Sequence, residues 1–246
     1  MYDKTSLIIG EGEIGKGLYE VLNGAFPGRV FIRDVDPRSD DPKDVYFLHI
    51  TFPYSEEFVF LVQAYANQYQ PQVIIVHGTV PPGTCRKIGH RCVSSPTRGK
   101  HPRIAEGIKT FVKFVGGIDE ECVRDAEELF NRAWIKTLRL SSPEACEVGK
   151  IMETTQYGWF IGLAKEIKRV CLEYDVPFDE VYTLQNMTYN DGYRKLGLEH
   201  FMRPTLVPIP GKMGGHCVVE NCDLLFDSVT RVVKELDKKY ENDPFC

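Results

Sequence analysis

Up to about residue 140, short apolar runs alternate with segments whose apolar residues recur at helical spacing. Residues 6–9 form an apolar strand that runs straight into a glycine turn. After the turn, Ile14, Leu18, Val21 and Leu22 share one helix face. The pattern predicts further strands over 29–35, 45–51, 72–77, 91–94, 111–115 and 134–140, and helices over 58–69 and 120–132. Between the second and third strands lies a short Asp/Pro/Ser loop, so the usual crossover helix is trimmed there. Pro81-Pro82-Gly83 is a hard turn. Strands alternating with helices imply an α/β fold of Rossmann type, a parallel sheet with helices on both faces.

Beyond Ser141-Ser142-Pro143 the pattern changes. Residues 143–174 contain no proline after the first and read as one long helix, with Ser142 as N-cap and Pro143 and Glu144 in the first turn. Gly149, Gly158 and Gly162 on it mark points of close helix packing, and Tyr157, Trp159 and Phe160 read as packing aromatics. More helix follows to about Lys195, then a proline-rich loop over 204–211 and a terminal helix over 218–240. The expected organisation is a dinucleotide-binding domain over 1–141 and a smaller all-helical domain over 142–246.

Composition narrows the class. The 246 residues are 43% hydrophobic and 26% charged, which is ordinary for a globular chain able to bury a core. A net charge of −5 argues against a general nucleic-acid surface. The longest apolar runs are strand-sized, so no membrane span is expected, and the N-terminus lacks a signal-peptide core. The 8 cysteines show no C-x-x-C pair, which points to reduced thiols and a cytoplasmic setting.

The first glycine turn is Gly10-Glu11-Gly12-Glu13-Ile14-Gly15, a G-x-G-x-x-G that ends a strand and opens a helix. In that context the first glycine permits the tight turn and the second lets backbone approach a pyrophosphate. The third allows close helix–strand packing, and the helix N-terminus favours phosphate charge. Asp34, roughly 20 residues further on at the end of the second strand, is placed to bind ribose hydroxyls. The predicted cofactor is therefore NAD, although Arg33 and Arg38 are the residues that would serve a 2'-phosphate. The other reading of the turn is a Rossmann-like sheet that binds no nucleotide.

Further along, several segments together resemble the UDP-glucose/GDP-mannose dehydrogenase family. Gly78-Thr79-Val80-Pro81-Pro82-Gly83-Thr84 is similar to its STVPPGT segment, Ser95-Pro96-Thr97-Arg98 to its SPER segment, and Phe114-Val115-Gly116-Gly117 to its IVGG strand end. Glu147-Val148-Gly149-Lys150 resembles its E-x-x-K and Ala164-Lys165-Glu166-Ile167 its A-N-E-L. Gly214-Gly215-His216-Cys217 resembles its GGHC. Their order and spacing hold from about residue 5 to 225. The resemblance implies a homodimer through the long helix, and oxidation of a primary alcohol to a carboxylate with two NAD. In that scheme Cys217 traps the intermediate aldehyde as a thiohemiacetal and then a thioester. Lys150 stabilises the developing alkoxide, and Thr79 falls on the cofactor side of the site. His216, next to the thiol, is a candidate assistant.

This chain departs from the family pattern at three polar positions. The SPE glutamate is Thr97, the asparagine four residues after the helix lysine is Thr154, and the aspartate four residues after the cysteine is Asn221, with Glu220 beside it. A threonine cannot act as a carboxylate base, so the choices are a two-electron reaction or hydrolysis by another base such as His101 or Glu220. With the sequence ending at Cys246, the resemblance leads to the expectation of a compact member without the family's C-terminal nucleotide-binding domain. Arg98, Lys100 and His101, with Arg103, gather in a loop after a parallel strand and suit an anionic substrate, a sugar or nucleotide sugar. No metal site is expected, since His216, Cys217 and Cys222 supply too few zinc ligands. His77, at a strand end, receives no role. Two readings compete with the covalent dehydrogenase. One is a simple two-electron hydroxyacid or sugar dehydrogenase with Cys217 a bystander. The other is a dinucleotide-binding protein without catalysis.

Overall fold

The computed structural model describes residues 3–35, 41–213 and 216–243. Its elements run β1 (Thr5–Ile9), α1 (Glu13–Ala25), β2 (Val30–Arg33), β3 (Val45–Ile50), α2 (Phe58–Tyr69), β4 (Val73–Val76), α3 (Thr84–Ile88), β5 (Cys92–Ser94), α4 (Ile104–Thr110), β6 (Lys113–Gly117), α5 (Glu120–Arg132) and β7 (Thr137–Arg139). They continue with α6 (Pro143–Glu173), a π-helical turn (Asp179–Thr183), α7 (Leu184–Lys195), α8 (His216–Glu220) and α9 (Ser228–Tyr240). Chain contacts divide the protein into two compact units, Met1–Lys150 and Ile151–Cys246.

In the first unit seven strands form one sheet in the order β2-β1-β3-β4-β5-β6-β7. Alternation along each strand sends side chains to opposite faces, each sealed by its own core. Ile8, Phe47, Ile75, Val93 and Val115 meet Leu18, Leu22, Ile104, Ile108, Leu129 and Phe130 of α1, α4 and α5. Leu7, Ile9, Leu48, Ile50, Ile74 and Val76 meet Phe58, Val62, Cys85 and Ile88 of α2 and α3. Burying each such aliphatic side chain contributes about 1.5–3 kcal/mol.

The sheet is not wholly parallel. β5 and β6 pair antiparallel, Val93 with Gly117 and Ser94 with Gly116. Their connection holds only α4, a helix the sequence pattern did not reveal, which lies along α1 rather than crossing the sheet. A Cβ on Gly17 of α1 would sit 2.8 Å from Ile104 Cγ2. The chain thus re-enters the sheet from the carboxyl edge, and β6 runs backwards. Short α3 was likewise missed, and β6 begins two residues later than the apolar run suggested.

In the second unit, α6 and the segments that follow it bury two small cores. Ala164, Cys171, Phe178 and Tyr182 form one, and Met213, Val218, Cys222 and Val233 the other. Gly158 and Gly162 are close-packing glycines as expected. A Cβ on Gly158 would meet Val233 Cγ1 at 2.7 Å, and one on Gly162 would meet Leu236 Cδ1 at 2.6 Å. Gly149 has open space instead. Trp159 packs towards α9, its indole N–H donating to the carbonyl of Val229 at 3.0 Å. The single terminal helix over 218–240 is broken. After α8 the chain makes a 3-10 turn at Asn221–Leu224, and α9 starts afresh behind Asp227. Asp227 accepts from the Val229 N–H and forms a capping box with Thr230, so a strong N-cap overrides apolar periodicity. No helix among the described residues is long and apolar enough to cross a membrane.

Candidate functional site

In the first unit β1 to β5 are mutually parallel. The loops leaving the carboxyl ends of β1, β2, β4 and β5 therefore open on one edge of the sheet, where open α/β sheets hold ligands. Those loops carry Gly10 to Gly15, Asp34, Thr79, and Thr97 to His101.

The glycines of the first loop are each explained by what surrounds them. Gly10 has φ +108°, and Thr51 Oγ1 donates to the carbonyls of Ile9 and Gly10, both at 2.9 Å. A Cβ on Gly15 would lie 1.9 Å from the Gly10 carbonyl oxygen, so the helix start rests directly on the turn. Gly12 differs, because a Cβ there would meet nothing within 4 Å. It is the N-cap of α1, and no side chain caps that end. The first N–H groups of α1 thus have no side-chain acceptor, as a phosphate-binding helix end requires. Half-buried Ile14 and exposed Glu13 follow.

Asp34 sits against this turn. Its Oδ2 accepts the Glu11 N–H and its Oδ1 the Val35 N–H, each at 2.7 Å. Each carboxylate oxygen keeps a second lone pair for a ribose hydroxyl. Arg33 points elsewhere: its guanidinium reaches Asp41 Oδ1 at 2.9 Å and Tyr69 Oη at 2.6 Å. Burial, with the Asp41 hydrogen bond next, pushes the Tyr69 phenol up to about 12. Arg33 is thereby committed to a side-chain network, and Arg38 lies outside the described residues. An uncapped helix end, a glycine with room beside it and an acid on the turn together fit NAD.

The loop after β5 folds back over α1. His101 Nδ1 contacts the Glu13 carboxylate, joining a predicted substrate residue to a predicted cofactor residue. Lys100 is exposed, while Arg98 stacks towards Phe111 and Phe114, 5.4 and 5.2 Å from their centroids. The Thr97 N–H donates to the His77 carbonyl at 2.9 Å. Thr97 Oγ1 is buried with no partner among the described residues. Thr79 is half-buried after β4.

Several ionisable groups of this unit are buried, among them His77 and Glu147, to which the sequence assigned no chemistry, and His49 and Lys113, which it did not single out. His49 and His77 face the α1/α5 side, two residues beyond Phe47 and Ile75, with His49 Nδ1 2.9 Å from His77 Nε2. Burial, and then the nearby Lys113, lowers both: His49 to about 3, and His77 well below its usual range. Lys113 on β6 is 4% exposed and donates to the Ser95 carbonyl at 2.8 Å. Burial, with the Lys150 charge next, lowers it to about 7. The visible signal was a lysine two residues from inward Val115, which puts both on the same face of β6. Glu147 is also buried; its carboxylate accepts the Gly83 N–H at 2.6 Å and the Cys85 N–H at 2.8 Å. Burial pushes its carboxyl up against those two bonds. Glu147 ties the Pro-Pro-Gly turn to the helix whose next turn carries half-buried Lys150.

In the second unit Thr154 and Asn221 are brought together. Asn221 Nδ2 donates to Thr154 Oγ1 at 3.3 Å, and Thr154 Oγ1 donates to the Ile151 carbonyl at 2.9 Å. Cys217 is exposed on α8, whereas the six other described cysteines are buried. Gly214, Gly215 and the His216 side chain lie outside the described residues. Among the described residues no group of three or more His, Cys, Asp or Glu could hold a metal ion.

Sheet order, glycine turn and acid define a Rossmann-type fold of the dehydrogenase kind. No family model matches the chain. A UDP-N-acetyl-D-mannosamine dehydrogenase of Methanococcus aeolicus is 26% identical over 235 residues, 86% of this chain and 49% of the relative. The chain thus spans about half the length of this relative. Among solved structures, UDP-D-ManNAc dehydrogenase of Pyrococcus horikoshii superposes with TM-score 0.78 at 17% identity, covering 96% of this chain and 69% of that one. A 3-hydroxyisobutyrate dehydrogenase of Mycobacterium tuberculosis gives TM-score 0.68 at 13% identity, covering 99% and 97%. The chain is thus similar in sequence to UDP-N-acetyl-D-mannosamine dehydrogenases and shares its fold with the solved sugar-nucleotide dehydrogenases.

Proposed function

We propose that the protein is an NAD-dependent oxidoreductase acting on an alcohol of a nucleotide sugar, with Cys217 and Lys150 carrying the chemistry. The observation that carries this reading is the common edge of the sheet. There an uncapped helix end, open space beside Gly12, and Asp34 adjoin the Thr79 and Thr97 loops. When bound, NAD would supply the hydride acceptor. Gly12 and the first N–H groups of α1 would hold its pyrophosphate, and Asp34 its ribose. The similarity to UDP-N-acetyl-D-mannosamine dehydrogenase supports a UDP-sugar as substrate. The Lys150 ammonium would stabilise the alkoxide formed as the alcohol loses its proton. Cys217 Sγ would add to the resulting aldehyde, giving a thiohemiacetal whose oxidation leaves a thioester for water to cleave. The first unit is read as the cofactor domain and the helical second unit as the substrate and dimerisation domain, in a cytoplasmic homodimer.

A second reading is favoured by the Asn221–Thr154 hydrogen bond. Two of the three altered positions satisfy each other instead of presenting a carboxylate, and Thr97 offers a hydroxyl alone. Such a site suits a single two-electron oxidation with Cys217 a bystander. The test is NADH formation over a panel of UDP-sugars and sugar phosphates, with the native protein and Cys217→Ser. Two NADH per substrate, abolished by serine, supports the covalent route. One NADH, unchanged by serine, selects the two-electron route. NAD binding without turnover on any alcohol refutes both.

A further inference from the structure

The second unit contains a wholly buried lysine that the proposed chemistry does not use. Lys165 of α6 is 0% exposed. An ammonium taken out of water is costly unless acceptors surround it. Lys165 Nζ donates to the Gly211 carbonyl at 2.8 Å and to the Ile209 carbonyl, and lies 5.3 Å from the centre of the Tyr240 ring. In the family pattern this position is the asparagine of A-N-E-L, a shorter and uncharged side chain.

The segment it grips lies at the end of the irregular stretch 202–213, whose Val207 and Ile209 side chains are 79% and 69% exposed. That end is fixed from the other side as well. The Gly211 N–H donates to the Asp243 carbonyl at 3.2 Å, and the Met213 N–H to Asp237 Oδ1 at 2.8 Å. Lys212 pairs with Glu241 at 2.8 Å. The buried Met213 side chain lies against Gly162, whose added Cβ would be 3.3 Å from Met213 Cε. Lys165 of α6 and Asp237 of α9 thus hold the 209–213 segment between them, and Cys217 follows four residues later in the sequence.

We infer that Lys165 is a positioning residue: by fixing the Ile209 and Gly211 carbonyls it sets where Cys217 stands. The inference rests on Cys217 being the reactive thiol, but its test does not require turnover. Cys217 is exposed while Cys171 and Cys222 of the same unit are buried. Iodoacetamide labelling, read by mass spectrometry for each cysteine, therefore reports on the clamp. In Lys165→Met, Cys217 labelling rises about threefold or more, while Cys171 and Cys222 stay protected. An unchanged Cys217 rate overturns the inference, and so does exposure of all three thiols, which means general loosening. If that variant does not fold, Asp237→Ala decides, since it removes the opposite anchor. It gives the same selective rise, and no change refutes the clamp. On a working substrate, Lys165→Met lowers kcat about tenfold or more with the KM for NAD within about twofold. A wild-type protein that forms no NADH refutes the dehydrogenase reading and leaves the labelling result standing.

Discussion

Replacing Lys113 by methionine keeps the length of the side chain and removes its charge, which makes the cost of that charge measurable. In the folded protein Lys113 gives up its proton at about 7, against an ordinary value of 10.5, mainly because β6 buries it and next because Lys150 is close. The unfolded chain holds the proton that the folded chain releases, so stability rises as pH climbs from about 7 towards 10.5, and the full penalty applies below that window. Each tenfold loss of proton affinity on folding costs about 1.4 kcal/mol, so the penalty at low pH is about 5 kcal/mol. Between about pH 7.5 and about pH 9.5, wild type should gain about 2–3 kcal/mol from this group alone. The methionine variant lacks that gain and loses the bond to the Ser95 carbonyl, a roughly constant cost of about 1 kcal/mol. Urea unfolding of both proteins, followed by circular dichroism across this range, isolates Lys113, since other groups cancel in the difference. The two stability curves should converge by about 2–3 kcal/mol as pH rises. Parallel curves would mean that Lys113 keeps its proton in the fold, and the buried-amine reading would be wrong.

The glycine turn separates packing from binding. Gly15→Ala forces a Cβ to within 1.9 Å of the Gly10 carbonyl oxygen and should cost about 3 kcal/mol or more in urea unfolding. Gly12→Ala meets no atom, so stability should stay near wild type while NAD affinity, by fluorescence titration, falls about tenfold; equal affinities would place the phosphate elsewhere. Glu147→Gln turns an amide NH2 towards the Gly83 or Cys85 N–H and should cost about 1–3 kcal/mol by thermal and urea melts. Unchanged stability in that variant would show that water satisfies those two donors.

The elements that the sequence made legible are those whose signal is local. Helix α2 and helix α5 follow from apolar periodicity, and in α5 the Asp119 side chain caps the Glu121 and Cys122 N–H groups, at 2.9 and 3.0 Å. Long α6 follows from periodicity behind a Ser-Pro start, with Ser142 Oγ accepting the Ala145 N–H at 3.2 Å. The elements that escaped are decided by what a segment meets. Helix α4 has only seven residues and is held by its contact with α1, which nothing in its own sequence announces. The break before α9 needed Asp227 to be read as a cap inside an apparently continuous apolar pattern. The antiparallel β6 depended on α4, so the second miss followed from the first.

The site divides in the same way. Glycines and an acid at fixed spacing announce a turn because backbone geometry admits few other residues there. Buried ionisable residues announce nothing, because a lysine in a strand has the same sequence signature whether it faces water or Phe130. The burial of Lys113, His49, His77 and Glu147 is visible only once the sheet order puts their strands and helix side by side. Their energetics then reverse the ordinary reading of a charged letter: Lys113 is close to losing its proton near neutrality, and both histidines are neutral.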